Sequence, residues 1–267
     1  MQIIEFESPT LNNKGEVIAR TRHQAEQLTE ELGSEISLDM LIIPAGIFQM
    51  GSARHQGHAD EEPQHLVTIK SFMMSKYLIT QGQWKAIMGK LPPCRFKGDQ
   101  LPVDRVSWKD AQEFCKRLSN KTGHNYQLPS ETQWEYACRA GTSTPFSFGE
   151  TITVEVANFN GEHTFREEPR GFYFHSTNAA GKFPPNAFGL HDMHGNLWEW
   201  CADNWMDDYT STPRDASFYQ YKDNPFRVAR GGSWHEPPAL CRSAARLQVL
   251  QTDADEFMGF RVARAVI

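Results

Sequence analysis

Arg230-Gly231-Gly232-Ser233-Trp234, then Cys241-Arg242-Ser243-Ala244-Ala245-Arg246 and Gly259-Phe260-Arg261-Val262, are the stretches of this 267-residue chain whose reading decides the fold. Upstream of them stands His194-Gly195-Asn196-Leu197-Trp198-Glu199-Trp200. All lie beyond Gly141, where hydrophobic periodicity gives way for roughly a hundred residues to Gly, Pro, Asn and aromatic side chains. Only short strands are expected there, at residues 227–229, 242–246 and 259–263. An irregular stretch of that length inside a domain carries function or needs staples from elsewhere in the fold. Between Trp234 and Cys241 the chain reads His235-Glu236-Pro237-Pro238-Ala239-Leu240, in which two prolines restrict the backbone and no cysteine occurs.

The first half is more regular. Thr80, Ser107 and Ser130 each precede by three residues a side chain able to reach back, Gln83, Asp110 and Gln133, and so each is expected to cap an amphipathic helix. The second helix places Ala111, Phe114, Cys115 and Leu118 on one apolar face, and the third closes at Gly141. Residues 38–44 and 46–50 read as two strands broken by Pro44-Ala45-Gly46 and are expected to form a hairpin. Residues 1–37 read as an N-terminal extension packed on a main domain of residues 38–267. In it a strand at residues 3–6, a turn at Asn12-Asn13-Lys14-Gly15 and a strand at 16–20 precede a polar helix over residues 22–32. Helices first, then loops with short strands, suit an α+β domain.

Composition narrows the function classes. Hydrophobic residues at 39% with seven Trp imply a folded aromatic core rather than disorder. A net charge of −6 provides no basic field for a phosphate backbone, so nucleic acid is not expected as a partner. The acidic start and the lack of any long apolar run point away from a leader or a membrane span, and toward a cytoplasmic protein. The five cysteines are scattered with no Cys-x-x-Cys spacing and read as buried thiols. Ten histidines, among them His191 with His194 and the His55, His58 and His65 group, lack helical metal-ligand spacing and read as solvated or hydrogen-bonding side chains.

Taken together with Ile43-Pro44-Ala45-Gly46, Glu62-Pro63, Leu101-Pro102-Val103 and Leu128-Pro129-Ser130-Glu131-Thr132-Gln133-Trp134-Glu135, the C-terminal segments resemble the formylglycine-generating enzyme (sulfatase-modifying factor) family. The resemblance runs from about Leu41 onward. It implies the family's variety of the C-type lectin fold, with small antiparallel sheets, flanking helices and long ordered loops around a shallow site. It also implies calcium, held at positions matching Asp192, the carbonyls of Gly195 and Leu197, and Glu199. A second calcium position would match Asn158 and the Phe159 carbonyl, although residues 171–175 offer no acid in register and only Glu167 or Glu168 could substitute. Such oxygens suit that ion. The bland reading makes Asp192 and Glu199 ordinary loop carboxylates that cap amides.

The family's oxidases hold copper(I) between two cysteines just after the Gly-Gly-Ser-aromatic segment, which is where this chain has residues 235–240. Copper is therefore not expected. Cys201 and Cys241 could approach one another, or could both be core. The same framework resembles the variable proteins of diversity-generating retroelements, whose intervening side chains bind ligands. The reading is thus a bacterial-type domain without oxidase function that binds a protein, peptide or small molecule. Its surface would comprise Trp198, Ser233, Trp234, His235, Glu236 and Arg246, rimmed by residues 247–257, with Trp198 and Trp234 alternatively core. The competing reading is a family oxidase acting on a cysteine-containing or other small substrate.

Overall fold

Three hydroxyl side chains start the three α-helices found among the described residues, each in a reciprocal capping box: Thr80 with Gln83, Ser107 with Asp110, and Ser130 with Gln133. Each cap satisfies amides that would otherwise be orphaned, worth about 1 kcal/mol. The structure is a computed structural model and describes residues 1–33, 35–221 and 223–266. In chain order the elements are β1 (Gln2–Leu11), β2 (Val17–Gly33), β3 (Ile36–Ile43), β4 (Gly46–Met50), β5 (His65–Ile69), β6 (Phe72–Ser75) and α1 (Gln81–Met88). There follow α2 (Trp108–Thr122), α3 (Glu131–Arg139), β7 (Trp198–Asn204), β8 (Phe226–Arg230), β9 (Arg246–Leu250), β10 (Met258–Gly259) and β11 (Ala263–Ala265). They form a five-stranded sheet in the order β1-β2-β3-β6-β11, a four-stranded sheet β10-β7-β8-β9, and the pair β4-β5.

The expected helix at residues 22–32 is instead the second half of β2, paired with β1 on one side and β3 on the other. Its Ala, Gln, Glu and Leu residues favour helix, but β1 supplies backbone partners up to Gln27 and β3 from Gln27 onward, and tertiary pairing overrides a weak propensity. His23, Ala25 and Gln27 are sheltered while Arg22, Gln24 and Glu26 are exposed, the period-two alternation of a strand. The expected hairpin at residues 38–50 does not form either. Pro44 and Ala45 carry the chain from one sheet to another, so that β3 pairs with β6 and β4 with β5.

Helix α2 buries Ala111, Phe114, Cys115 and Leu118, as its spacing predicts. They join Trp84, Trp198, Trp200 and Phe260 in the larger core, where Trp84 stacks on Phe114 with ring centroids 5.6 Å apart. Strands in the C-terminal part lie at other bounds than expected, and β7 (Trp198–Asn204) was not expected at all. Residues 242–245 are a turn, with strand β9 opening only at Arg246, and residues 258–265 split between β10 on β7 and β11 on β6.

Charge pairing holds the stretches between these strands. The four arginines of the quoted C-terminal segments are all buried, and each meets a glutamate from a different part of the chain: Arg230 with Glu135, Arg242 with Glu61, Arg246 with Glu131, and Arg261 with Glu199. These pairs are the staples that fasten the irregular half to α3, to β7 and to the loop before β5. No helix among the described residues is long and apolar enough to cross a membrane.

Candidate functional site

Gly231 and Gly232 have φ of 99° and 76°, a region that favours glycine, and a Cβ at Gly232 would strike Cys241. The turn they make folds Ser233 and Trp234 inward and leaves His235 at the surface. The following backbone is pinned: Trp234 N–H donates to Asn196 O at 2.9 Å, Glu236 N–H to Ser233 O at 3.1 Å, and Asn160 N–H to Glu236 O at 2.9 Å. His235 and Glu236 therefore sit on a fixed rim rather than a mobile loop.

Around them three other loops bring aromatic and charged groups. Tyr173 and His235 share a 2.5 Å hydrogen bond between the phenol oxygen and Nδ1. His175 packs against the Tyr173 ring, with centroids 3.7 Å apart, and Phe257 stacks on His235 at 5.1 Å. Phe96 meets Trp234 edge-on, and the Arg95 guanidinium lies 5.4 Å from the Trp234 ring while pairing with Glu256 at 2.6 Å. Burial pushes the Tyr173 phenol up from its ordinary value, and the charges of Glu162 and Glu236 press the same way. The cluster offers a π-rich face with a phenol–imidazole pair at its centre.

Several expected surface residues lie elsewhere. Trp198 is 1% exposed and belongs to the main core, touching the site only through its Nε1–H, which donates to Glu236 at 3.4 Å. Ser233 is fully buried. Arg246 is buried too, donating to Glu131 at 2.6 and 3.0 Å and lying 4.3 Å from the Trp205 ring, so it is a staple rather than a ligand anchor. Trp234 is 3% exposed and floors the cluster. His235 is exposed and Glu236 half-buried beside it, and Phe257 stacks on His235. Arg95, Phe96, Tyr173 and His175 were missed; the run Phe172-Tyr173-Phe174-His175, aromatic in a loop, was their only local signal.

The loops expected to hold calcium lie behind this face. Gly195, at φ 90°, bridges in parallel to Asn158, and a Cβ there would strike the Asn158 carbonyl. Asp192 is buried; its Oδ2 accepts from Gly181 N–H at 3.0 Å, while its Oδ1 has no partner. Burial raises the Asp192 carboxyl to about 6. Asn158 is alike: its Nδ2 donates to Ser176 O at 3.0 Å and Asn196 Oδ1 at 3.3 Å, and its buried Oδ1 is unpartnered. Outside the strand ladders, the carbonyls of Gly195, Leu197 and Phe159 accept no backbone hydrogen bond among the described residues. These two orphaned oxygens and the carbonyls without backbone partners are hard donors of the type that calcium takes.

Glu199 is committed to an ion pair rather than to a cation site. Its Oε2 accepts from Arg261 Nε at 2.6 Å and from Trp134 Nε1 at 2.9 Å, and its Oε1 accepts from Arg261 Nη2 at 2.8 Å. Three of about four lone-pair directions are filled and the charge is neutralised, which leaves Asp192 as the anionic group of that loop. Glu168 caps the amides of Phe165 and Arg166 and so is committed as well.

The thiols are inert by position. All five cysteines are buried and unpaired. Burial pushes Cys94 up to about 11 and Cys138 to about 12, and holds Cys115, Cys201 and Cys241 well above the ordinary thiol value. Cys201 and Cys241 belong to different core clusters and do not pair. In a thiol titration at about pH 8, none of the five is expected to react until denaturant unfolds the chain, because the thiolate is the nucleophile. A thiol that reacts rapidly in the native protein contradicts this placement.

With that geometry in place, the likeness to known proteins is informative. The family model described as the sulfatase-modifying factor enzyme 1-like domain matches residues 26–266. The solved structure of PvdO from Pseudomonas aeruginosa is 34% identical, with a TM-score of 0.78, covering 90% of this chain and 98% of that one. Treponema denticola variable protein 1 superposes with a TM-score of 0.77 at 24% identity, covering 90% of this chain and 99% of the other, a likeness of fold. The inactive C-alpha-formylglycine-generating enzyme 2 of Bos taurus is 26% identical over 291 residues, 87% of this chain and 90% of that protein.

Proposed function

The chain belongs to the family of sulfatase-modifying factor enzyme 1-like domains, and from that premise we propose that it keeps the family's scaffold as a binding module for a protein, peptide or small ligand, without thiolate oxidase chemistry. The observation that carries this reading is the exchange at residues 235–240. A rigid rim bearing His235 and Glu236, backed by Tyr173, Phe257 and Arg95, stands where the family's oxidases place their cysteine pair. Copper(I) favours soft thiolates, and the donor set here does not fit it, since every thiol is buried and held protonated. Aromatic rings and arginine are the groups that most often dominate binding surfaces. The pinned backbone lowers the entropic cost of engaging a ligand.

Calcium is the cofactor we assign. Asp192 Oδ1 with the carbonyls of Gly195 and Leu197 would hold one ion, and Asn158 Oδ1 with the Phe159 carbonyl would contribute to a second. The ion would supply charge to Asp192 and tie these loops together, which is a structural role.

One feature would suit an enzyme of this family that moves a proton on a small substrate. The Tyr173–His235 pair can accept and return a proton beside an aromatic-lined surface, and that would serve a reaction on a small substrate. The absence of thiolate oxidase chemistry is tested in one experiment. The protein is incubated with copper(I), oxygen and a cysteine-containing sulfatase-type peptide, and the products are followed by mass spectrometry. No aldehyde is expected; aldehyde formed over multiple turnovers would restore the oxidase.

A further inference from the structure

We infer that a second binding site, separate from the His235 face, lies in the groove beyond the end of β7 and takes a cationic side chain, a guanidinium above all, from a basic peptide. The groove has a volume of about 430 Å³ and is lined by Trp205, Asp207, Asp208, Tyr219, Tyr221 and Gln248, among others. Four aromatic residues, Phe226 among them, and two carboxylates thus share one recess. That is the chemistry that holds a cation, with ring faces for the delocalised charge and acids for its N–H groups.

The walls are built rather than incidental. Asn204, at the end of β7, accepts from Tyr221 N–H at 2.7 Å through Oδ1 and donates through Nδ2 to Asn224 O at 2.8 Å and Phe226 O at 3.2 Å. Asn224 Nδ2 returns a bond to Trp205 O at 2.9 Å. The buried Asp203 carboxylate accepts from Tyr219 N–H at 2.8 Å and from Glu131 N–H at 2.6 Å, anchoring the same loop to the start of α3. Tyr219 and Tyr221 are therefore held by their backbones before any ligand arrives. Tyr221 itself is 61% exposed, an unusual outlay of aromatic surface.

Charge completes the argument. Asp207 and Asp208 each spend one oxygen locally, on Trp205 Nε1–H at 2.9 Å and Thr210 N–H at 2.8 Å. Neither forms a salt bridge among the described residues, whereas Arg246 is committed to Glu131 and Arg227 lies against Trp108 at 3.8 Å. Because Arg246 already lies against the Trp205 ring, the tyrosines and the two aspartates, rather than the indole, are assigned as partners of an incoming cation. A planar guanidinium can stack on a tyrosine while donating to a carboxylate, and an ammonium does this less well.

The test compares N-acetyl-arginine methylamide with its neutral isostere N-acetyl-citrulline methylamide, by calorimetry and by NMR perturbation of the full chain. The arginine probe is expected to bind at least about tenfold more tightly than the citrulline one, with affinity falling as salt rises. The Asp207→Asn/Asp208→Asn double variant should abolish that preference, and Tyr221→Ala should weaken binding by roughly three- to tenfold. Tyr221 is exposed and its side chain forms no hydrogen bond among the described residues, so this variant remains informative if the double variant unfolds. His235→Ala should leave binding unchanged, which keeps this result independent of the function proposed above. Equal binding of the two probes, no binding at about 20 mM arginine probe, insensitivity to Tyr221→Ala, or response only to a neutral saccharide would each overturn the proposal.

Discussion

Replacing Arg261 with leucine is expected to destabilise the protein by about 3–5 kcal/mol, the usual consequence of leaving a buried charge without its partner. Arg261 and Glu199 are both fully buried, and the guanidinium also donates to Ser75 O at 3.1 Å and His191 O at 3.0 Å. The substitution strands a carboxylate and two carbonyls at once. The double variant Arg261→Leu/Glu199→Leu should recover much of the loss, because an apolar pair of similar volume avoids the desolvation cost that an ion pair must offset. Urea denaturation of the single and double variants measures this directly. A single variant within about 1 kcal/mol of the parent would mean that Arg261 is not the counter-charge of Glu199.

Removal of calcium is expected to lower the melting temperature, and Asp192→Asn to abolish that response. A ligand that binds only the native state contributes about 2.7 kcal/mol at a hundredfold excess over Kd. The metal-free protein carries the burden of a buried carboxyl whose value is raised from 3.8 to about 6, chiefly by burial. An acid raised in the folded state binds its proton more tightly there. Its contribution to stability is fully present below about pH 4 and is lost as pH rises through about 6. The chelator should therefore do more damage at pH 7.5 than at pH 5, while the asparagine variant, neutral throughout, should lose that difference. Identical melting curves with and without chelator at the higher pH would remove calcium from the account.

How much of this could be read in advance depended on the range of the interaction. The three capping boxes are complete within four residues, so Thr80, Ser107 and Ser130 announced their helices. The family assignment was equally legible, because the C-terminal segments form an ordered series. β2 was not, since its strand character comes from Gln27 pairing with Gln2 on one side and Leu41 on the other, contacts absent from local propensity. In the site, His235 and Glu236 were legible from the interrupted segment. Arg246 misled because an arginine beside a functional loop reads the same whether it faces solvent or a glutamate 115 residues away. Tyr173 was invisible for a similar reason: its meaning is the imidazole it meets, 62 residues further on.

The placement of β11 has a consequence for how the molecule is made. This strand closes one edge of the sheet that β1, β2, β3 and β6 begin, and Val262 just before it donates to Ser75, 187 residues earlier. A ribosome that has delivered β6 therefore holds a nascent sheet with a bare apolar margin, and at about 5–20 residues per second that margin waits roughly ten to forty seconds for its partner. The arginine staples arrive in the same late window. Synthesis in vivo thus passes through a long, adhesive half-built state, and production of this protein should respond more strongly to translation speed and to holdase chaperones than its finished stability would suggest.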